Sequence, residues 1–138
     1  MKRIIRTVAL LALLCALALP AMPAYAQNGN TWALTYWPNT SMSGFSPFTS
    51  SASILAFNWG LGAPMNGMPV DNWTMRATSA VWFNAGTYNF TAQADDEVSL
   101  MIDGVTWINT RDQGMSGKVI TVTIPLNESR WYNLQVDF

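Results

Sequence analysis

The chain has 138 residues, a formal net charge of −1, one cysteine and no histidine. Without histidine it lacks the usual general base and the commonest transition-metal ligand. A single cysteine excludes both a disulfide framework within the chain and a zinc–thiolate site. The length is sufficient for one domain built on one hydrophobic core.

The N-terminus has the three parts of a secretory signal peptide. A basic start is followed by an apolar run and then by a small-x-small cleavage pattern: Lys2, Arg3 and Arg6, then Thr7–Leu19, then Ala24-Tyr25-Ala26. We predict cleavage after Ala26, a secreted or cell-surface protein, and one mature domain at residues 27–138. The apolar run of 13 residues is shorter than the roughly 20 needed to cross a bilayer, so no membrane span is predicted.

Cleavage would leave an acidic domain with no cysteine. Four basic residues would face eight acidic ones, which gives a net charge of −4; the basic residues are Arg76, Arg111, Lys118 and Arg130. Proteins that bind nucleic acid need clustered Lys and Arg to neutralise phosphates. A nucleic-acid partner is therefore not predicted.

The first half of the mature chain is predicted to hold one strand and two loops. The strand covers about residues 31–37. A surface loop rich in Ser, Thr, Gly and Asn follows at 38–53, and a second loop at 60–70 is rich in Gly and Pro.

The second half alternates apolar and polar residues with the period of half-buried strands, at 87–94, 98–102, 120–124 and 132–138. Its Val, Ile, Thr, Tyr, Trp and Phe side chains suit a pleated surface. Asp103-Gly104 lies between two such runs and predicts a tight hairpin. Short strands split by Gly-, Asn- and Pro-rich loops predict an all-β, antiparallel β-sandwich. We expect its core to contain Tyr88, Phe90, Val98, Leu100, Ile102, Val122 and Leu134.

Five segments follow one another in the order of a known family. They are Trp32-x-x-x-Tyr36, Asn58-Trp59-Gly60-x-Gly62-x-Pro64, Asp71-Asn72-Trp73-Thr74-x-Arg76, Ala85-Gly86-Thr87-Tyr88-x-Phe90, and Asp95-Asp96-x-Val98-x-Leu100-x-Ile102-Asp103-Gly104. Together they resemble the PA-fourteen domain, a β-sandwich module named after a segment of anthrax protective antigen. The resemblance extends over nearly the whole mature chain. Longer members continue for one more strand, so it also implies that Leu134–Phe138 lies at an exposed edge.

The resemblance implies a metal site at Asp95 and Asp96. In sugar-binding members, two adjacent aspartates joined by a cis peptide ligate a calcium ion that holds vicinal sugar hydroxyls. Glu97 stands where the family usually has glycine, and it would either add a ligand or increase repulsion. A glycine there with positive φ would be poorly replaced by glutamate. The alternative is a solvated loop whose aspartates cap turns through their own backbone.

Aromatic residues offer a second means of contact with sugar. Trp107 and Trp131, if exposed, would stack on a sugar ring, although aromatic residues in a small sandwich without disulfides more often fill the core. With Asp95, Asp96 and Glu97, these two tryptophans complete the candidate ligand-binding residues.

Three classes of function are compatible with these features. The first is a secreted recognition module for a glycan or cell-surface polysaccharide, with or without calcium. The second is a structural subunit that forms a homo-oligomer, or binds another extracellular protein, through an exposed edge strand. The third is a glycosidase, which needs two carboxyl groups facing each other across a cleft. No motif marks such a pair, so we expect a protein without enzymatic activity.

Overall fold

The computed structural model describes residues 31–138, so the predicted signal peptide at 1–26 lies outside the described residues. This part of the chain contains eight strands: β1 (Trp32–Trp37), β2 (Phe48–Ala52), β3 (Thr74–Phe83), β4 (Gly86–Gln93), β5 (Ser99–Ile102), β6 (Val105–Asn109), β7 (Val119–Leu126) and β8 (Arg130–Asp137). Over the same residues, no helix has the length and apolar character needed to cross a membrane.

The strands form two sheets. Six of them lie in the order β2-β1-β3-β8-β5-β6, and the remaining two form the pair β4-β7. Every pairing is antiparallel. The prediction of an all-β, antiparallel protein is therefore confirmed for residues 31–138.

The two-stranded sheet covers one half of the larger sheet. Ile124 and Leu126 of β7 share a buried cluster with residues of β3, β5, β6 and β8, while Tyr88 and Phe90 of β4 pack against it. We call this cluster the strand-covered core. It contains Val81, Leu100, Ile102, Ile108, Ile124, Leu126, Tyr132 and Leu134.

A loop covers the other half of the same face. Leu34 and Tyr36 of β1 and Met75 and Ala77 of β3 are buried together with Met68 from the loop at 53–73. Further side chains of that loop pack against this cluster: Leu55, Trp59, Ala63, Met65 and Trp73. We call this cluster the loop-covered core. The loop at 53–73 therefore covers this half of the sheet as β4 and β7 cover the other half. It shields the apolar face of β1 and β3 from water.

The predicted core is confirmed in its main positions. Val98, Leu100, Ile102 and Leu134 are buried. Tyr88, Phe90 and Val122 are half-buried and pack against the strand-covered core. They are less buried because the sheet to which they belong has only two strands.

Two strands differ from the sequence prediction. β2 lies within the segment predicted as a surface loop at 38–53, and β3 lies where no strand was predicted. β2 consists mostly of small polar residues and lies at the edge of its sheet, so it carries no apolar alternation. β3 has small residues on both faces, which weakens the contrast between buried and exposed positions.

The prediction that Leu134–Phe138 lies at an exposed edge is wrong. β8 pairs with β3 on one side and with β5 on the other, so it is an interior strand. Phe138 continues the pairing beyond β8, since its N–H and C=O bond to the C=O and N–H of Met75 at 2.8 and 2.9 Å. Its side chains also link the cores, because Tyr132 and Leu134 are buried in the strand-covered core and half-buried Val136 packs against both.

Candidate functional site

Four loops meet at one end of the sandwich, which we call the loop end. Trp37 at the end of β1 pairs with Thr74 at the start of β3. Ser99 at the start of β5 pairs with Asp137 at the end of β8. The loops at 38–47, 53–73 and 94–98 therefore approach one another, and the 110–118 loop joins them because β4 and β7 are paired.

The acidic pair lies in the 94–98 loop, and both its side chains are exposed. The Asp95–Asp96 peptide bond is cis, as the family resemblance implies. The Ser116 hydroxyl donates a hydrogen bond to the Asp95 carboxylate. The N–H of Gly117 donates to the carbonyl of Ala94 at 2.7 Å. These contacts attach the 110–118 loop to the acidic loop.

Glu97 faces the 110–118 loop. Its carboxylate accepts a hydrogen bond of 2.7 Å from the N–H of Asp112 and lies 3.8 Å from Nε of Arg111. Glu97 is not among the residues with positive φ, so glutamate is accommodated without a left-handed backbone. Within residues 31–138, no group of three acidic side chains is arranged to hold a metal ion. The Glu97 carboxylate is engaged by the 110–118 loop, and its part in holding a metal ion stays a prediction.

An aromatic groove of about 680 Å³ lies beside the acidic pair and includes both aspartates in its wall. Trp59 contacts three other rings of its wall, with ring centroids 4.9 Å from Phe57, 5.0 Å from Trp73 and 5.8 Å from Phe138. The Phe57 ring is stacked on Trp59 and remains 39% exposed. The groove therefore combines partly accessible ring faces with two carboxylates.

The sequence prediction did not include Trp59 and Trp73 among the site residues. Both occur in the segments that carry the family resemblance, but nothing in the sequence places them beside Asp95 and Asp96. They come together only because the 53–73 loop crosses the sheet and ends where β3 begins.

A second depression, of about 850 Å³, lies on the outer face of the larger sheet and has Asp96, Glu97 and Asp112 in its wall. Its wall also includes an ion pair in which Nε and Nη2 of Arg76 each lie 2.7 Å from a carboxylate oxygen of Asp137. The hydrogen bonds to Asp137 raise the pKa of Arg76 above its ordinary value. The charges of Arg76 and Asp137 are therefore paired with each other through two hydrogen bonds, and neither is left over for a ligand.

The two tryptophans proposed from sequence as sugar contacts lie outside both depressions. Trp107 is in the edge strand β6 and is 39% exposed. Trp131 pairs with Trp82 at the far end of β3 and β8, six residues along each strand from Arg76 and Asp137. The structure thus brings Asp95 and Asp96 together but separates both tryptophans from them.

Comparisons with known proteins agree with this architecture. The sequence profile described as "PA14 domain" matches residues 27–138. A solved structure of an anti-sigma factor domain-containing protein is 26% identical, with a TM-score of 0.69, over 78% of this chain and 37% of that one. A second such protein, from Clostridium clariflavum, is 21% identical, with a TM-score of 0.66, over 80% of this chain and 37% of that one.

A more distant likeness shares the fold alone. It is to a beta-glucosidase from Kluyveromyces marxianus, solved in complex with glucose, at 16% identity and a TM-score of 0.58, over 78% of this chain and 14% of that one. Among curated protein sequences, none matches this chain significantly. The profile match covers the whole of the domain whose eight strands and loop end are described above, and the chain therefore belongs to the PA14 domain family.

Proposed function

We propose that this PA14 domain is a secreted, non-catalytic recognition module that binds a glycan at the loop end, with a calcium ion at Asp95 and Asp96. The observation that carries the proposal is the aromatic groove, in which Trp59, Phe57 and Trp73 share a wall with both aspartates. Pockets for small molecules typically combine apolar and aromatic walls with a few convergent polar groups. A sugar ring has an apolar face for the aromatic rings and hydroxyls for the polar groups.

The oxygens near the acidic pair fit calcium in kind but are few in number. Calcium takes six to eight oxygen ligands. Asp95 and Asp96 would hold the ion, and the hydroxyl of Ser116 lies next to Asp95. The remaining positions would be filled by backbone carbonyls, water and sugar hydroxyls. When bound, the ion would supply a positive centre that orients vicinal hydroxyls, while the aromatic groove excludes water from the ring face.

Thermal unfolding in calcium tests the metal part of this proposal. Affinity should resemble that of other extracellular calcium modules, about 10⁻⁴–10⁻³ M. An ion that binds only the native state stabilises it by about 2.7 kcal/mol at a hundredfold excess over Kd. We therefore expect the Tm to rise in millimolar calcium and to return to its starting value in excess chelator.

The variants separate the acidic pair from general charge effects. Asp96→Ala should abolish the response of the Tm to calcium. Glu128→Ala removes one charge from the turn that joins β7 to β8, at the far end of the sandwich, and should respond as the wild type does. If the wild-type Tm changes with neither calcium nor chelator, the acidic pair is a solvated turn that holds no calcium.

Titration with a glycan panel, with and without calcium, tests recognition itself. Trp59→Ala should weaken binding of whichever glycan the wild type binds. Because the proposed module does not hydrolyse its ligand, incubation of that glycan with the wild type should release no new reducing ends. Binding that persists in chelator would remove calcium from the proposal and leave recognition in place. Failure of every glycan to bind would remove recognition.

The alternative of self-assembly through Leu134–Phe138 is not retained. That segment is paired on both sides, so it offers no open edge to a second chain.

A further inference from the structure

We propose that the protein forms a two-fold dimer through the edge of β2, with a second copy of the same chain as the partner. This inference goes beyond the proposed function, because the contact requires neither calcium nor a glycan. β2 lies at one end of the larger sheet and pairs only with β1. Within the described residues, the backbone groups on its other side therefore face no further strand.

β2 has none of the features by which edge strands usually avoid pairing. A charged side chain, a proline or a bulge within the strand would prevent it. β2 reads Phe-Thr-Ser-Ser-Ala and pairs with β1 in unbroken register, and its central residues Thr49, Ser50 and Ser51 are exposed. At the opposite end of the sheet, β6 pairs with β5 through a bulge and lies against β7. The open edge of this sheet is therefore at β2.

The part of the chain that surrounds β2 carries no charge. Residues 31–70 contain no Asp, Glu, Lys or Arg, whereas four basic and eight acidic residues give residues 71–138 a net charge of −4. Two copies that meet through β2 therefore avoid the like charges that their other faces would bring together. A membrane surface is a poorer match, because segments that bind it typically carry Lys and Arg. A strongly charged protein would find no complementary charge here.

Exposed apolar side chains flank β2 at both ends. Phe45, three residues before the strand, is 89% exposed, and Ile54, two residues after it, is 65% exposed. In an antiparallel pair, the start of each strand lies beside the end of the other. Phe45 of each copy would therefore approach Ile54 of the other copy, and association would remove from water large apolar groups that a single chain leaves exposed.

Pairing about Ser50, the middle residue, uses the whole of β2. It places Ser50 opposite Ser50, Thr49 opposite Ser51 and Phe48 opposite Ala52 of the second copy. Five residues of strand extend over about 17 Å, so the interface is smaller than the standard of about 1,600 Å² and should bind more weakly than about 1 µM. Both β2 edges are used, so the assembly closes at two copies.

Sedimentation equilibrium of the purified protein over a concentration series tests the contact. The average mass of the wild type should rise from that of a monomer towards that of a dimer. Ser50→Lys places like charges opposite each other at the two-fold axis and should weaken association at least about tenfold. Thr106→Lys is the matched control, because it adds the same charge at an exposed position of β6 and should associate as the wild type does.

A charge-swapped pair tests the register without relying on the stability of either variant. Ser50→Asp should also associate weakly by itself, for the same reason as Ser50→Lys. A mixture of the two variants should form the dimer again, because opposite charges then face each other at the axis.

The flanking apolar residues have their own test. Phe45→Ser leaves β2 intact and should weaken association by about tenfold, as expected for an aromatic anchor. Val105→Ser, at a 56% exposed apolar position of β6, should have no such effect.

Three results would overturn the inference. The first is a wild type that remains a monomer at its highest soluble concentration. The second is a wild-type dimer that Ser50→Lys leaves intact or that Thr106→Lys disrupts, since the contact then lies on another surface. The third is a mixture of the Ser50→Lys and Ser50→Asp variants that associates no better than either does alone. None of these results depends on calcium or glycan binding at the loop end, so the proposed function stands or fails separately.

Discussion

Asp103 combines a place in the turn between β5 and β6 with an ion pair to Arg130 of β8. Asp103 and Gly104 form the two-residue turn between β5 and β6, with φ of 48° and 79°. Positive φ at both central residues is what a type I′ hairpin requires, and Asp-Gly meets that requirement. The carboxylate of Asp103 then accepts a 2.9 Å hydrogen bond from the N–H of Asn133 and pairs at 2.8 Å with Arg130. The turn is thus attached to β8.

These contacts make the stability of the domain depend on pH. The hydrogen bond from the Asn133 backbone, and then Arg130, hold the pKa of Asp103 below its ordinary value of 3.8. A carboxylate with a lowered pKa stabilises the folded state above its unfolded pKa, and this contribution is lost as pH falls through the folded pKa. We expect Asp103→Asn to have a lower Tm than wild type at pH 6, and the difference to shrink below about pH 4. Parallel Tm curves from pH 6 to pH 2.5 would contradict this.

At the scale of elements, sequence alternation predicted the strands that face one core with strongly contrasting side chains. β4, β5, β7 and β8 were found in this way because apolar residues alternate with polar ones along each of them. β2 was not predicted because Thr49, Ser50 and Ser51 give no alternation of apolar and polar residues. The position of β8 inside the larger sheet was also not predicted. Strand order depends on pairings between distant segments, and the periodicity of a single segment does not contain that information.

One part of the candidate site could likewise be predicted from local sequence, and the other part could not. Asp95 and Asp96 are neighbours in the chain, so the sequence alone was enough to single out the acidic pair. Trp59 and Trp73 reach the same groove through the path of the 53–73 loop over the sheet. No propensity or spacing rule gives the course of a long irregular loop, so the aromatic half of the site is recognisable only in the folded chain.

The 110–118 loop is the element that positions the acidic loop. Ser116 bonds to Asp95, and the Gln93 side chain donates to the Gly117 carbonyl at 2.8 Å. Groups that orient metal ligands typically contribute about 10- to 100-fold in affinity. We expect Ser116→Ala to shift the calcium dependence of the Tm to about tenfold higher concentration.

Ser129→Ala is the matched control for that variant. Its hydroxyl accepts a 2.8 Å hydrogen bond from the N–H of Ala85 at the far end of the sandwich. Its calcium response should equal that of wild type, although its Tm without calcium should be lower. If both serine variants respond to calcium as wild type does, the contact between Ser116 and Asp95 does not position the ligand.

At the scale of the whole molecule, two cores covered by different kinds of structure belong to one cooperative unit. β3 contributes Ala77 to the loop-covered core and Val81 to the strand-covered core, and Val136 of β8 packs against both. Neither half of the sheet can lose its cover without exposing strands that support the other half. The 53–73 loop should therefore unfold together with the sheets, although it contains no strand of its own.

Two core truncations test this coupling. Met68→Ala removes a buried side chain of the loop, and Ile124→Ala removes one that is 0% exposed in β7. Each should lower the free energy of unfolding by about 2–5 kcal/mol, since both leave a cavity in packed surroundings. During urea unfolding, far-ultraviolet circular dichroism follows the loss of the sheets. Tryptophan fluorescence follows the surroundings of the tryptophans, among them Trp59 and Trp73 beside the loop-covered core. In a single unit both probes give the same midpoint for wild type and for both variants. A fluorescence midpoint in Met68→Ala that falls well below the dichroism midpoint would instead mean that the loop opens while the sheets persist, and the aromatic groove would then be a separately folding cover.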